Sequence, residues 1–489
     1  MKRILKSLIF TGLIILSLTQ TACDKFLSVD PPYTQDVENF FQTPEDYDRA
    51  LTGAYDLLQA SFLTLWIGEI ASDNAIAGGE SVNDSPGLHQ IDNMTHGGVN
   101  VELRNVLRWN YTGLTRANYI LEHKDNIDFP GKAHIIAEAK FLRAYYYFEL
   151  VKYFGDVPLI IDKRIGIEEA LQIPRSPKSE VYAQIEKDLQ EASAVLNPVA
   201  SQKGRATKGA ALSFLGKVYL YQNKFTEAAA TFDEVIASGS YSLIPNYTDL
   251  FSVANENNSE TVFDVQYTGL EGGSYGCLIC LEGNAAVGFQ GIRQYNGPVY
   301  GDGNSYNLPT QELYDAFSSI DGRRAATVLD IDAFIASQPN PASITYAIGA
   351  GGHTGYYNNK YIKRQGEIGL PDNDLTSPVN YRVMRYADVL LMAAEAHYQL
   401  GHTSTAQQLV NQVRGRAGVP GIPVNSINVI YKERRYELSG EGLRFFDLVR
   451  TGQAATYING FVTGKHELFP IPQVEIDLTG GHWSQNPGY

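Results

Sequence analysis

The sequence predicts a mainly α fold: a tetratricopeptide-like helical repeat scaffold with irregular loop and short-strand excursions. Three observations predict it. Leu212, Leu215, Gly216, Tyr219, Ala228 and Phe232 reproduce the spacing of a tetratricopeptide helix pair. Apolar residues recur at helical spacing through the N-terminal half. Between Ser240 and Asn380 that periodicity stops, and Gly-, Asn- and Tyr-rich stretches read as loops.

The chain opens with Lys2, Arg3 and Lys6, followed by an apolar run from Leu8 to Leu18 and small or polar residues to Ala22. So short a run behind a basic start reads as a signal peptide over residues 1–22 rather than a membrane span. Cys23 is the expected lipidation site, although Gln20 stands where a larger aliphatic residue is usual. An ordinary secreted protein cleaved near Ala22 is the alternative.

The mature chain then divides into an N-terminal helical region, 23–240, and a C-terminal region, 241–489, with central binding loops at about 268–380. Thr43-Pro44-Glu45-Asp46 marks a capped helix start, and Tyr47, Leu51, Ala54 and Leu58 continue it. A helix from about Ala133 to Phe154 is apolar nearly all round and is expected to be buried. Further helix pairs are expected over 103–153, 177–222, 207–238 and 381–416, the last as Tyr381 to Leu400 and Thr405 to Arg416. One pair cannot bury its own face, so they must stack. Thr261 to Tyr267 reads as a strand. Long Gly- and Tyr-rich insertions on such a scaffold are where binding usually resides.

The formal charge of −15 argues against nucleic acid and against electrostatic docking on anionic lipid. The 31 tyrosines suit wet binding surfaces and helical cores equally. Cys277 and Cys280 form a lone C-x-x-C without the second pair or histidines that zinc requires, so a structural or incidental role is expected and their pairing stays open. Gly272-Gly273-Ser274-Tyr275-Gly276 fits a hydrolase pattern but lacks the helix that must follow the nucleophile. Asp372-Asn373-Asp374 has calcium-binding composition and is read as a solvated turn. No catalytic residue, cofactor or metal site is predicted.

Several runs carry a family resemblance. They are Tyr381 to Leu391 leading into Ala394-Glu395-Ala396, then Val413-Arg414-x-Arg416-Ala417-Gly418 and Glu433-Arg434-Arg435-x-Glu437-Leu438. Glu441-Gly442-x-Arg444-Phe445-Phe446-Asp447-Leu448-x-Arg450, Pro470-Ile471-Pro472 and Gln485-Asn486-Pro487-Gly488-Tyr489 follow. In the first half, Glu69 to Asn74, Glu138 to Tyr145 and Phe154 to Leu159 agree. Over essentially the whole mature chain this resembles the RagB/SusD family of outer-membrane nutrient-binding lipoproteins.

The resemblance implies a SusD-like superhelix of four helix pairs and a lipid-anchored outer-membrane protein facing the cell exterior. It implies a SusC-like, TonB-dependent barrel as partner, capture of a glycan for import, and no catalysis. A peptide-binding member of the family and a secreted glycosidase are the alternatives. In the family the ligand is held by loops of the first half and of the central excursion. The matching stretches are Trp66 to Asn100 and Tyr275 to Tyr306. Asp73, Asn74 and Gln90 are the expected polar contacts. Tyr275, Tyr295, Tyr300 and Tyr306 are the expected platforms, with Tyr356 and Tyr357 next in line. Trp66 is expected to pack under the loop. Glu433, Arg434, Glu437, Glu441, Arg444 and Asp447 recur at helical spacing with alternating sign, which reads as a salt-bridge lattice.

Overall fold

A computed structural model describes residues 40–161, 165–367, 372 and 374–489. The signal segment and Cys23 lie outside them.

Helix α1 (Pro44–Asp56) begins on the predicted cap. The Asp46 N–H donates to the Thr43 hydroxyl, and the Thr43 N–H donates to the Asp46 carboxylate at 2.9 Å. A 3-10 turn over Leu57–Ser61 leads into α2 (Phe62–Ile70), every residue of which is buried. The repeat scaffold follows as α3 (Val101–Glu122), α4 (Lys132–Phe154), α5 (Lys178–Val195), α6 (Lys208–Tyr221) and α7 (Phe225–Ala237). After a long excursion it resumes with α8 (Tyr386–Gln399) and α9 (Thr403–Arg416). Each of these helices packs on the next, α7 on α8 included, so the stack continues across the excursion. One apolar core runs through both the N-terminal and the C-terminal region.

Short strands tie the excursion to the frame. β1 (Ala75–Gly78) pairs antiparallel with β3 (Tyr306–Pro309), with Ile76 opposite Leu308. β2 (Thr261–Val265) pairs antiparallel with β6 (Tyr381–Arg385), and β4 (Val328–Asp330) with β5 (Tyr356–Asn358). The expected helix over Tyr381 to Leu400 is therefore a strand followed by a helix that starts at Tyr386. The backbone of 381–385 is claimed by β2, and Arg382 and Arg385 are turned into buried ion pairs.

The predicted lattice is present and buried. It is centred on α10 (Ile427–Leu438) and α11 (Arg444–Arg450). Glu437 pairs with Arg385 at 3.0 Å, with Arg323 at 3.1 Å and with Arg416. Glu433 joins Arg323 and Arg414 at 2.7 and 2.6 Å, and Arg434 joins Asp388 and Asp447 at 2.7 and 3.0 Å. Glu441 meets Arg385 and Lys360, each at 2.7 Å. Burial alone would raise the Glu437 carboxyl, but Arg416, Arg385 and Arg323 hold it down at about 2. Gly442 (φ 84°) lies against α2. A Cβ on Gly68 would fall 1.9 Å from the Gly442 carbonyl oxygen, and the Gly442 N–H donates to Glu69 at 2.8 Å.

Candidate functional site

The first half and the excursion face each other across a cleft of about 660 Å³. Four segments build it. α2 supplies Phe62, Leu63 and Trp66, and the loop after β1 supplies Glu80, Asp84 and Ser85. The N-terminal end of α3 supplies Glu102, Asn105 and Arg108, one polar stripe three residues apart. The excursion supplies Tyr275 to Ile279, Phe289, Arg293, Asn304 and Tyr306. α3 starts where it does because the Asn100 side chain accepts the Glu102 and Leu103 N–H groups, both at 3.1 Å.

One wall is a run of aromatic rings. Trp66 and Tyr306 stack with centroids 5.8 Å apart and planes 16° from parallel. Phe289 meets Trp66 edge-on at 5.5 Å and Tyr306 at 5.6 Å, and Tyr275 meets Phe289 at 6.3 Å. Only Tyr275 is well exposed, at 61%; Trp66 and Tyr306 are 4% and 5% exposed. Trp66 both packs beneath Tyr306 and contributes to the wall, and its indole N–H has no hydrogen-bond partner among the described residues.

The rings are held in place by polar ties. The Tyr306 hydroxyl donates to Asp84 at 2.6 Å, and the same carboxylate oxygen accepts the Glu80 N–H at 3.1 Å. Glu80 pairs with Arg293 at 2.9 Å. The Tyr275 hydroxyl donates to Asp374 at 3.0 Å, whose other oxygen meets Lys363 at 2.8 Å. Partial burial and the nearby Asp374 push the Tyr275 phenol up to about 12, so it stays a donor at neutral pH. Burial also raises the Glu102 carboxyl.

Cys277 and Cys280 are joined by a disulfide, with Cα atoms 5.4 Å apart. The turn they close lines the cleft beside Tyr275 and docks on the 57–61 turn, where the Gln59 side chain donates to the Ile279 carbonyl at 3.2 Å. Ser274 precedes a 3-10 turn, not a helix, and its hydroxyl accepts the Gly276 N–H.

Of the seven expected ligand contacts, the structure brings two, Tyr275 and Tyr306, to the cleft. Asp73 is buried and bound by Arg444 through two bonds of 2.8 Å and by Arg435 at 3.0 Å, so its oxygens serve the frame. Asn74 is fully buried, donating to Glu69 at 3.0 Å and accepting from Arg435 at 2.9 Å. Gln90 accepts from the Asn100 side chain at 3.0 Å and stands outside the cleft lining. Tyr295 and Tyr300, both 7% exposed, pack on each other in a small separate core under the excursion. Tyr356 and Tyr357 are buried in β5. Among the described residues no group of three or more His, Cys, Asp or Glu could hold a metal ion.

A larger hollow, about 790 Å³, lies between α1 and residues 129–138 and 197–205, but Phe129 is its one Phe, Tyr or Trp. The aromatic cleft is the better candidate because flat rings and fixed polar groups converge there.

Comparison with known proteins decides the family. Residues 344–467 match the family described as "SusD family", and residues 25–220 match "Starch-binding associating with outer membrane". A solved laminarin-binding SusD-like protein is 36% identical, covers 92% of this chain and 100% of its own, and superposes with a TM-score of 0.85. The chain belongs to the SusD family. A SusD-like protein of Formosa agariphila is 29% identical over 97% of this chain and 98% of its own length. Surface glycan-binding protein A of Bacteroides thetaiotaomicron, solved with laminarihexaose, is 26% identical with a TM-score of 0.82, covering 91% of this chain and 99% of its own. The SusD-like helical scaffold expected from the sequence is thus the scaffold found.

Proposed function

We propose that this SusD-family protein binds an oligosaccharide in the aromatic cleft and hands it to a SusC-like, TonB-dependent barrel. In this reading it sits on the outer membrane, lipid-anchored at Cys23 and facing the cell exterior. The single observation that carries the binding step is the exposed Tyr275 ring in front of the Trp66–Phe289–Tyr306 wall. A pyranose presents an apolar C–H face to such a ring and its hydroxyls to Glu102, Asn105, Arg108 and Asn304 at the margin. The laminarin-binding and laminarihexaose-bound relatives make a β-glucan the first ligand to try.

Calorimetric titration of the soluble chain from Asp24 onward with laminarihexaose tests the proposal. Tyr275→Ala should abolish measurable binding and leave the melting temperature within a few degrees of wild type. Unchanged affinity would move the site elsewhere. Mild-detergent purification from the native membrane should bring down the barrel, and Cys23→Ala should release the protein from the membrane fraction.

A further inference from the structure

The chain is acidic overall, with 54 Asp and Glu against 39 Lys and Arg. One hollow runs against that balance. Between α10, the start of α11 and residues 453–457 lies a cavity of about 360 Å³ lined by Lys432, Arg435, Arg444, Tyr431, Tyr436 and Tyr457, and by no carboxylate. None of these residues lines the aromatic cleft.

Its cations are under-compensated. Arg435 and Arg444 share one buried carboxylate, Asp73; besides it Arg435 reaches the exposed Glu312 at 3.2 Å and the neutral Asn74 side chain at 2.9 Å. Arg435 is nine-tenths buried, and its Nη2 lies beside Asp73 without a hydrogen bond to any group among the described residues. Lys432 is exposed and makes no ion pair among the described residues. Two guanidinium groups and an ammonium thus face one cavity with a single buried counter-charge.

The remaining lining suits a sugar. Tyr457 is 39% exposed, and the Arg444 guanidinium lies over its ring at 5.2 Å, which fixes the ring's orientation. Asn428 and Gln453 stand at the margin, the Gln453 amide donating to Asn428 at 2.8 Å. They offer amide groups for hydroxyls. We propose that this hollow is a second saccharide site, selective for a sugar that carries an anionic group, a carboxylate or a sulfate ester. The anion would be held by Lys432 and Arg435, and the ring would lie against Tyr457.

The test uses the mature chain and four probes: a tetragalacturonate, a sulfated tetrasaccharide, inorganic sulfate and neutral laminarihexaose. One or both anionic saccharides should bind, and binding should weaken as NaCl is raised from about 50 to about 300 mM. Lys432→Glu and Tyr457→Ala should each weaken that binding about tenfold, the loss of one charge-assisted or stacking contact. Tyr457→Phe should retain it. Laminarihexaose binding and melting temperature should be unchanged by Lys432→Glu, whose side chain stands in solvent. The proposal is overturned if neither anionic saccharide binds, if their binding is removed by Tyr275→Ala instead, or if inorganic sulfate binds as tightly as the saccharides. Failure of laminarihexaose alone to bind would count against the aromatic cleft and leave this site standing.

Discussion

Gly216 of α6 touches the ring of Phe232 of α7 so closely that a Cβ at 216 would stand 2.6 Å from Phe232 Cε1. That contact is the tetratricopeptide spacing made physical. The two helices approach because one of them carries no side chain there, and Phe232, fully buried, fills the gap. Gly216→Leu is expected to destabilise the protein by about 1–3 kcal/mol or more, since neither helix can move without disturbing the stack. A thermal melt reads the loss. A melting temperature equal to wild type would mean that α6 and α7 can part freely.

Glu437 is the most heavily paired carboxylate of the lattice, and Glu437→Gln tests whether the lattice holds the C-terminal helices. The amide leaves Arg416, Arg385 and Arg323 facing a neutral group in a buried site, at a cost of about 3–5 kcal/mol. The pH dependence has a definite sign. The folded carboxyl titrates near 2 against an ordinary 4.5, so its stabilisation is complete above pH 4.5 and is lost as pH falls towards 2. Denaturant titrations at pH 7 and pH 3 should show the variant's deficit shrinking at the lower pH. An equal deficit at both would assign the cost to packing.

Asp264 behaves in the opposite way. It is 2% exposed on β2, one of its oxygens has no partner among the described residues, and burial lifts its carboxyl to about 7 despite Arg382. Between an unfolded value of 3.8 and a folded value of about 7, the folded chain holds a proton that the unfolded chain has released. Stability therefore falls as pH rises through that window, and the full penalty stands above it. Asp264→Asn should raise stability at pH 8 by up to about 4 kcal/mol, a figure already net of the attraction to Arg382, and give no gain at pH 3. A gain of the same size at pH 3 would contradict the titration.

Much of the frame is legible in the sequence, because local signals and burial agree there. Thr43 and Asp46 cap α1 as their spacing implies, and the run up to Phe154 is one buried helix. The 381–385 segment misleads because it can satisfy either period, and the distant β2 decides for strand. Asp73 and Asn74 mislead for a related reason. A short polar run after a helix looks free until Arg435 and Arg444, far along the chain, arrive to bind it. Tyr295 and Tyr300 are platforms or core depending only on what covers them, and the excursion has a small core of its own. The polar stripe Glu102, Asn105 and Arg108 was available as a signal: three polar residues at a spacing of three in the first turns of a long helix.

The last expectation concerns the Cys277–Cys280 disulfide. It closes so small a loop that the chain-entropy model gives it only about 2 kcal/mol of global stabilisation, and the turn it closes lies at the rim rather than in the core. Its stronger effect should be local. Tyr275 stands two residues before Cys277 and is anchored otherwise by its bond to Asp374 and the edge of Phe289. A closed turn presents the ring in one orientation, so binding loses less conformational freedom. Replacing both cysteines by serine should weaken laminarihexaose binding about tenfold while the melting temperature drops by only a few degrees. Tyr275→Phe, which keeps the ring and removes the Asp374 bond, should weaken binding less than Tyr275→Ala. If the double serine variant binds as wild type does, the turn is held by its docking on the 57–61 segment, and the disulfide contributes nothing to the cleft.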